Sequence, residues 1–122
     1  AEVIVGGGRG MGSAEAFQTL EELADLMKGA VGATRAACDM GWYPVPKQIG
    51  LTGKVVSPTL YIAVAISGAS QHMAGLSGTK NIVAINKDPE ANIFRYCRYG
   101  IVGDWKAVVP PFLNKVRQLK AE

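Results

Sequence analysis

The stretch LYIAVAISGASQHMAG, Leu60 to Gly75, decides how this chain folds. From Leu60 to Ile66 it is apolar without alternation, which is the pattern of a strand covered on both faces in a parallel sheet. Ser67, Gly68 and Ala69 then make a small-residue turn, and His72, the one histidine of the chain, follows in what reads as the start of a helix. A parallel strand needs a crossover to reach its neighbour, so helices and further strands are expected on either side.

Working outward, Val3 to Val5 is a short β-branched run stopped by the glycine-rich turn GGGRGMG. Ser13 is the expected N-cap of the helix that follows, in which Ala16, Phe17, Leu20, Leu23, Ala24 and Met27 share a face. Gly29 ends that helix, and a second strand near Val31 runs into a turn at Thr34 and Arg35. From Gly41 to Pro58 neither period holds, and Pro44, Pro46 and Pro58 interrupt the pattern; a loop of that length in a small domain reads as a binding segment. NIVAIN, Asn81 to Asn86, and YGIVGD, Tyr99 to Asp104, read as further covered strands. Trp105 to about Lys120 reads as a closing helix, with Val108, Val109, Phe112, Leu113, Val116 and Leu119 on one face and Pro110 and Pro111 in its first turn. The expected fold is α/β and doubly wound, a mainly parallel sheet of about five or six strands with helices on both faces.

Composition narrows the function. The 122 residues suit one domain and leave no room for a second. Thirteen basic and ten acidic residues are spread without a block of one sign, which favours small anionic ligands over a nucleic-acid surface. No apolar run is long enough to span a bilayer, so no membrane insertion is expected. Cys38 and Cys97 lack metal-ligand spacing and read as free thiols of a reducing compartment; no metal site is expected. The chain starts inside what reads as a strand, without an initiating methionine, so a fragment or processed piece is expected.

In open α/β sheets ligands lie at the carboxyl ends of the strands, where strand order reverses. The turns expected there offer Arg9 and Gly10, Thr34 and Arg35, Ser67, Gly68, Ala69, Gln71 and His72, Asn86 with Lys87 and Asp88, and Asp104. No frame of GGGRGMG gives the strict G-x-G-x-x-G fingerprint, and glycines that merely let a helix pack against the sheet explain it equally well. The Ser67–Gly68 turn says more, because N–H groups that open a helix hold phosphates. Ser67 and His72 do not complete a nucleophile, base and orienting group, so no catalytic residues are assigned.

The segment LYIAVAISGASQHMAG, with IVAIN after it, closely resembles the C-terminal FAD domain of the electron transfer flavoprotein alpha subunit. GGGRGMGS resembles that family's SGGRG turn, VGATRAACDMGW its VGASRAAVDAG segment, QIGLTGK its QVGQTGK segment, and INKDPEANIF and YGIVGDW its last two ligand-side segments. The resemblance covers nearly the whole chain and implies a Rossmann-like, DHS-like fold binding FAD over residues 1–122, with the family's preceding domain absent. It implies that Arg9 with Gly10 helps hold the cofactor and that Thr34 and Arg35 are the hydroxyl–arginine pair, Arg35 lying against the flavin. In the Gly50, Leu51, Thr52 segment, Thr52 is implied near flavin N5, and His72 near the C2 carbonyl. Ser67, Gly68, Ala69, Gln71, Asn86 and Asp104 match positions along the ribityl, pyrophosphate or adenosine parts. Leu51 stands where many members carry glutamine, Ala65 where glycine is common, Thr34 where serine is, and Ser70 where an apolar residue is. The implied role is a redox carrier, not a substrate-converting enzyme: it pairs with a beta subunit and moves electrons from a flavoprotein dehydrogenase to a quinone reductase or similar acceptor. The implied compartment is bacterial cytoplasm or mitochondrial matrix. The alternative is an NAD(P)-binding domain of an oxidoreductase or transhydrogenase with a related fold.

Overall fold

The structure is a computed structural model that describes residues 2–121. Five strands, β1 (Val3–Gly7), β2 (Ala30–Ala33), β3 (Leu60–Val64), β4 (Asn81–Asn86) and β5 (Tyr99–Val102), form one sheet in the order β2-β1-β3-β4-β5, all parallel. Helices α1 (Phe17–Leu26), α2 (Arg35–Asp39), α3 (Ser70–Ala74) and α4 (Trp105–Ala121) follow strands β1, β2, β3 and β5. The chain steps from β1 outward to β2, then returns past β1 to β3. The direction of winding therefore reverses between β1 and β3, and a crevice opens at their carboxyl ends.

Strand alternation sorts the core into two layers. Val5, Ile62, Val64 and Ile85 pack with Phe17, Leu20 and Leu23 of α1 and Val109 and Leu113 of α4. Ile4, Tyr61, Ala63, Ile82 and Ala84 face the other way, onto Ile49, Met73, Leu76 and Ile93. The apolar face expected for the first helix is buried from Ala16 to Ala24 and half-buried at Met27.

Several expectations need correction. The first strand does not stop at Val5 but runs through Gly6 and Gly7. Those glycines are strand residues because a Cβ on Gly6 would lie 1.9 Å from the Tyr61 hydroxyl, and one on Gly7 2.6 Å from Phe17 and Leu20. Ser13 does accept a hydrogen bond, from the Ala16 N–H at 3.2 Å, but it closes a turn ahead of α1, whose N-cap is Ala16. Lys28, at φ 55°, takes the left-handed position after α1 that Gly29 was expected to supply; Gly29 is instead pressed against the Val3 carbonyl. Strand β5 is an edge strand with all four residues exposed, not a covered one. Pro110 and Pro111 lie in the second turn of α4. Both are exposed, and the helix continues through them because its opposite face buries Val109 and Leu113 against the sheet. The segment expected to be a long loop holds a 3-10 turn, Val45–Lys47, and two isolated bridges, Ala33 to Gln48 and Ile49 to Lys54.

Among the described residues no helix is long and apolar enough to cross a membrane, and no group of three or more His, Cys, Asp or Glu side chains is placed to hold a metal ion. Cys38 is buried and Cys97 half-buried, both as free thiols.

Candidate functional site

A cavity of about 750 Å³ occupies the crevice between β1 and β3. That lies within the range of about 300–1,000 Å³ usual for small-molecule sites. Four of its walls come from the ends of strands. Arg9 and Gly10 follow β1; Thr34 and Arg35 follow β2; Ser67, Ala69, Gln71 and His72 follow β3; Asn86 follows β4. The fifth wall is the segment from Gln48 to Thr52, which brings in Gly50, Leu51 and Thr52. Two expected residues lie elsewhere. Gly68 sits behind the wall at φ 89°, where a Cβ would come within 2.4 Å of the Ile93 nitrogen, so its missing side chain serves the packing of one turn on another. Asp104 lines a second pocket of about 170 Å³, which shares Gly10, Ala65 and Asn86 with the large cavity.

The turn after β3 is the best-equipped wall. Its carbonyls are taken by the neighbouring segment: Ile93 N–H donates to Ser67 O at 2.8 Å, Asn92 Nδ2 to Gly68 O at 2.7 Å, and Asn86 Nδ2 to Ile66 O at 2.9 Å. Its donors are not. The N–H groups from Ile66 to Gln71 have no acceptor among the described residues, and several of them belong to residues on the cavity wall. Consecutive N–H groups with their carbonyls turned away make a cradle for anionic oxygens. Across the cavity the guanidinium of Arg35 makes one exposed contact, 3.5 Å to Asp39, which is too weak to fix it. Thr34 is held as the N-cap of α2, its hydroxyl accepting from the Ala37 N–H at 3.3 Å.

The loop wall is tied down by polar side chains that the core otherwise lacks. Gln48 and His72 are the two buried polar or charged residues among those described. The Ile49 carbonyl can only accept, so His72 Nδ1, 3.1 Å away, carries the proton and donates to it. Burial holds the imidazole below its ordinary pKa, with the Ile49 hydrogen bond acting against that, so the ring is neutral at pH 7. His72 Nε2 then accepts from the Tyr61 hydroxyl at 2.9 Å, whose own pKa burial pushes far up. Both ring nitrogens thus have protein partners, and His72 joins α3 to the loop from inside the wall. The Leu51 N–H adds a second tie, donating to the Gln71 carbonyl at 2.7 Å. Beside it Gln48 Nε2 donates to Thr52 Oγ1 at 3.2 Å.

Sequence reasoning missed Gln48 and Tyr61. The cue for Gln48 was a glutamine four residues before Thr52 in a segment closed by Gly50 and Gly53. For Tyr61 it was a hydroxyl inside an otherwise aliphatic run, with the compensating Gly6 far away in sequence.

Residues 1–77 match the family model described as electron transfer flavoprotein FAD-binding domain. The chain is 58% identical over 119 residues to the electron transfer flavoprotein subunit alpha of Bacillus subtilis (strain 168), covering 98% of this chain and 37% of that protein. It is 57% identical over 116 residues to the subunit alpha of Paracoccus denitrificans, covering 95% and 38%. Against the mitochondrial subunit alpha of Dictyostelium discoideum the identity is 55% over 120 residues, covering 98% and 34%. The chain therefore spans only a little over a third of the length of these curated relatives.

Proposed function

We infer the role of this domain from one premise: the chain belongs to the electron transfer flavoprotein FAD-binding domain family, and its cofactor is FAD. It serves electron transport, and when bound FAD supplies the redox chemistry. The observation that carries the site assignment is the large cavity at the strand reversal, which combines a run of unpaired N–H groups, two arginines and a polar loop. In this reading the N–H groups from Ile66 to Gln71 take the pyrophosphate oxygens. Arg9 and Arg35 add positive charge, Arg35 on the flavin side, where a cation favours the more negative, reduced ring. Thr52 offers its hydroxyl to the ring edge, and His72 holds the wall behind it. The second pocket, with Asp104 and Asn86, takes the adenosine end.

The wider assignment extends the family resemblance. An alpha subunit pairs with a beta subunit, and the pair passes electrons from a flavoprotein dehydrogenase to a quinone reductase or similar acceptor, converting no organic substrate itself. In this reading its compartment is bacterial cytoplasm or mitochondrial matrix, one relative being named as mitochondrial. Thermal unfolding with FAD, NADPH, NAD or AMP tests the cofactor assignment, because a ligand raises the midpoint only when it binds the folded state. FAD should give the largest rise. A rise with NADPH and none with FAD would replace this reading with the NAD(P)-domain alternative.

A further inference from the structure

Gln48 is out of place by composition. It is 8% exposed, yet its neighbours in the same loop, from Leu51 to Lys54, are exposed. The backbone explains how it is held. Lys54 N–H donates to the Gln48 carbonyl at 2.8 Å, Gly50 N–H to the Lys54 carbonyl at 3.1 Å, and Gly53 N–H to the Gly50 carbonyl at 3.1 Å. Gly53 lies so close that a Cβ there would be 2.5 Å from the Gln48 carbonyl oxygen. The loop is therefore closed on the Gln48 backbone, and although Gln48 also lines the cavity, the one polar side chain that its amide reaches is Thr52.

The direction of that bond has a chemical consequence. A threonine hydroxyl has one proton to give and lone pairs to accept with. Gln48 Nε2 donates to Thr52 Oγ1, which fills an acceptor position and leaves the proton free. Among the described residues the Thr52 hydroxyl has no acceptor, and Thr52 lines the cavity. We propose that Gln48 is a positioning residue: by donating to Thr52 Oγ1 it leaves the Thr52 proton free to be donated into the cavity, toward the bound cofactor. This rests on the reading that the cavity holds FAD. A hydroxyl without Gln48 could rotate and present either its proton or both lone pairs; with Gln48 in place one lone pair is engaged, which favours presenting the proton.

The test is a double-mutant cycle on the purified protein, read by FAD titration and by the visible absorption band of the bound flavin. In Gln48→Glu the carboxylate can only accept, so it draws the Thr52 proton inward and the donor is lost. FAD affinity should fall about tenfold, the effect of one hydrogen bond, and the absorption band should shift. Thr52→Val should give the same loss and the same spectral shift. The double variant should lose no more than either single one, since both remove the same donor. Gln48→Met, which keeps the volume without charge, should give a smaller loss with urea stability close to that of the parent, and it carries the test if Gln48→Glu does not fold. The proposal is overturned if Gln48→Glu leaves affinity and spectrum unchanged, or if its effect persists in full on the Thr52→Val background, which would mean that it acts through charge alone. A parent protein that takes up no FAD overturns the cofactor reading and the proposal with it, and is distinguished from the first two outcomes because the parent itself fails.

Discussion

The two faces of the sheet are built differently. The α1 and α4 face is filled by aliphatic and aromatic side chains, with Phe17, Leu20, Leu23, Val109 and Leu113 closing over β1, β3 and β4. The opposite face carries Tyr61, bonded to the buried His72, and the loop wall adds the second buried polar side chain, Gln48. On the first face a residue contributes through contact area alone. On the second, hydrogen bonds run outward from the core, from Tyr61 through His72 to the Ile49 carbonyl, and end at the cavity rim. Both faces bury an apolar cluster, but the polar ties that shape the site lie on the second.

The largest expected effect separates the faces. Leu20 is fully buried on the apolar side, so Leu20→Ala should cost about 3 kcal/mol in urea unfolding through lost burial and the cavity left behind. FAD affinity of the folded fraction should stay close to that of the parent; a loss as large as the stability change would mean that the faces are coupled. Tyr61→Phe removes one oxygen from the other face and strands His72 Nε2 without a donor. It should cost about 1–2 kcal/mol and, unlike Leu20→Ala, should speed amide exchange of the Leu51 N–H, because the ring that braces the loop is loosened. Equal exchange in the two variants would sink the distinction.

Ala65 tests the rim from the opposite direction. It sits at φ 56°, in the left-handed region that glycine tolerates and alanine resists. Ala65→Gly should therefore stabilise the fold by about 0.5 kcal/mol, the relief of strain outweighing the greater freedom of glycine in the unfolded chain. A measurable fall in melting temperature would show that the methyl packs usefully between the two pockets it lines.

The smallest effect is on pH. His72 is held below its ordinary value of 6.5, so the unfolded chain binds the proton more readily than the folded one. Its contribution to stability is fully present above 6.5 and declines as the pH drops from there toward the lower folded value. Urea midpoints measured from pH 8 down to pH 5 should fall in that window for the parent and less so for His72→Asn. Identical slopes in the two proteins would remove His72 from the account.

Much of this fold was legible because parallel strands and amphipathic helices each write a local pattern. Leu60–Val64 and residues 82–85 are unbroken apolar runs, and the face of α1 repeats at helical spacing. What stayed hidden depends on residues distant in sequence. Gly6 reads as a turn until the Tyr61 hydroxyl is seen above it, and Tyr99–Val102 reads like any covered strand because nothing within it says which side of the sheet it joins. The wall residues could be named from the strand ends and the family resemblance. The ties behind them could not, since the Tyr61–His72 and His72–Ile49 bonds join separate segments.

The central claim is that the crevice at the β1–β3 reversal is an FAD site. Its most direct test is the visible spectrum of the purified protein after incubation with FAD and exhaustive dialysis. The account predicts a retained flavin band corresponding to one FAD per chain, reduced when Arg9 and Arg35 are both replaced by alanine. Flavin that dialyses away completely from the parent, or that is retained equally by the double variant, would contradict it.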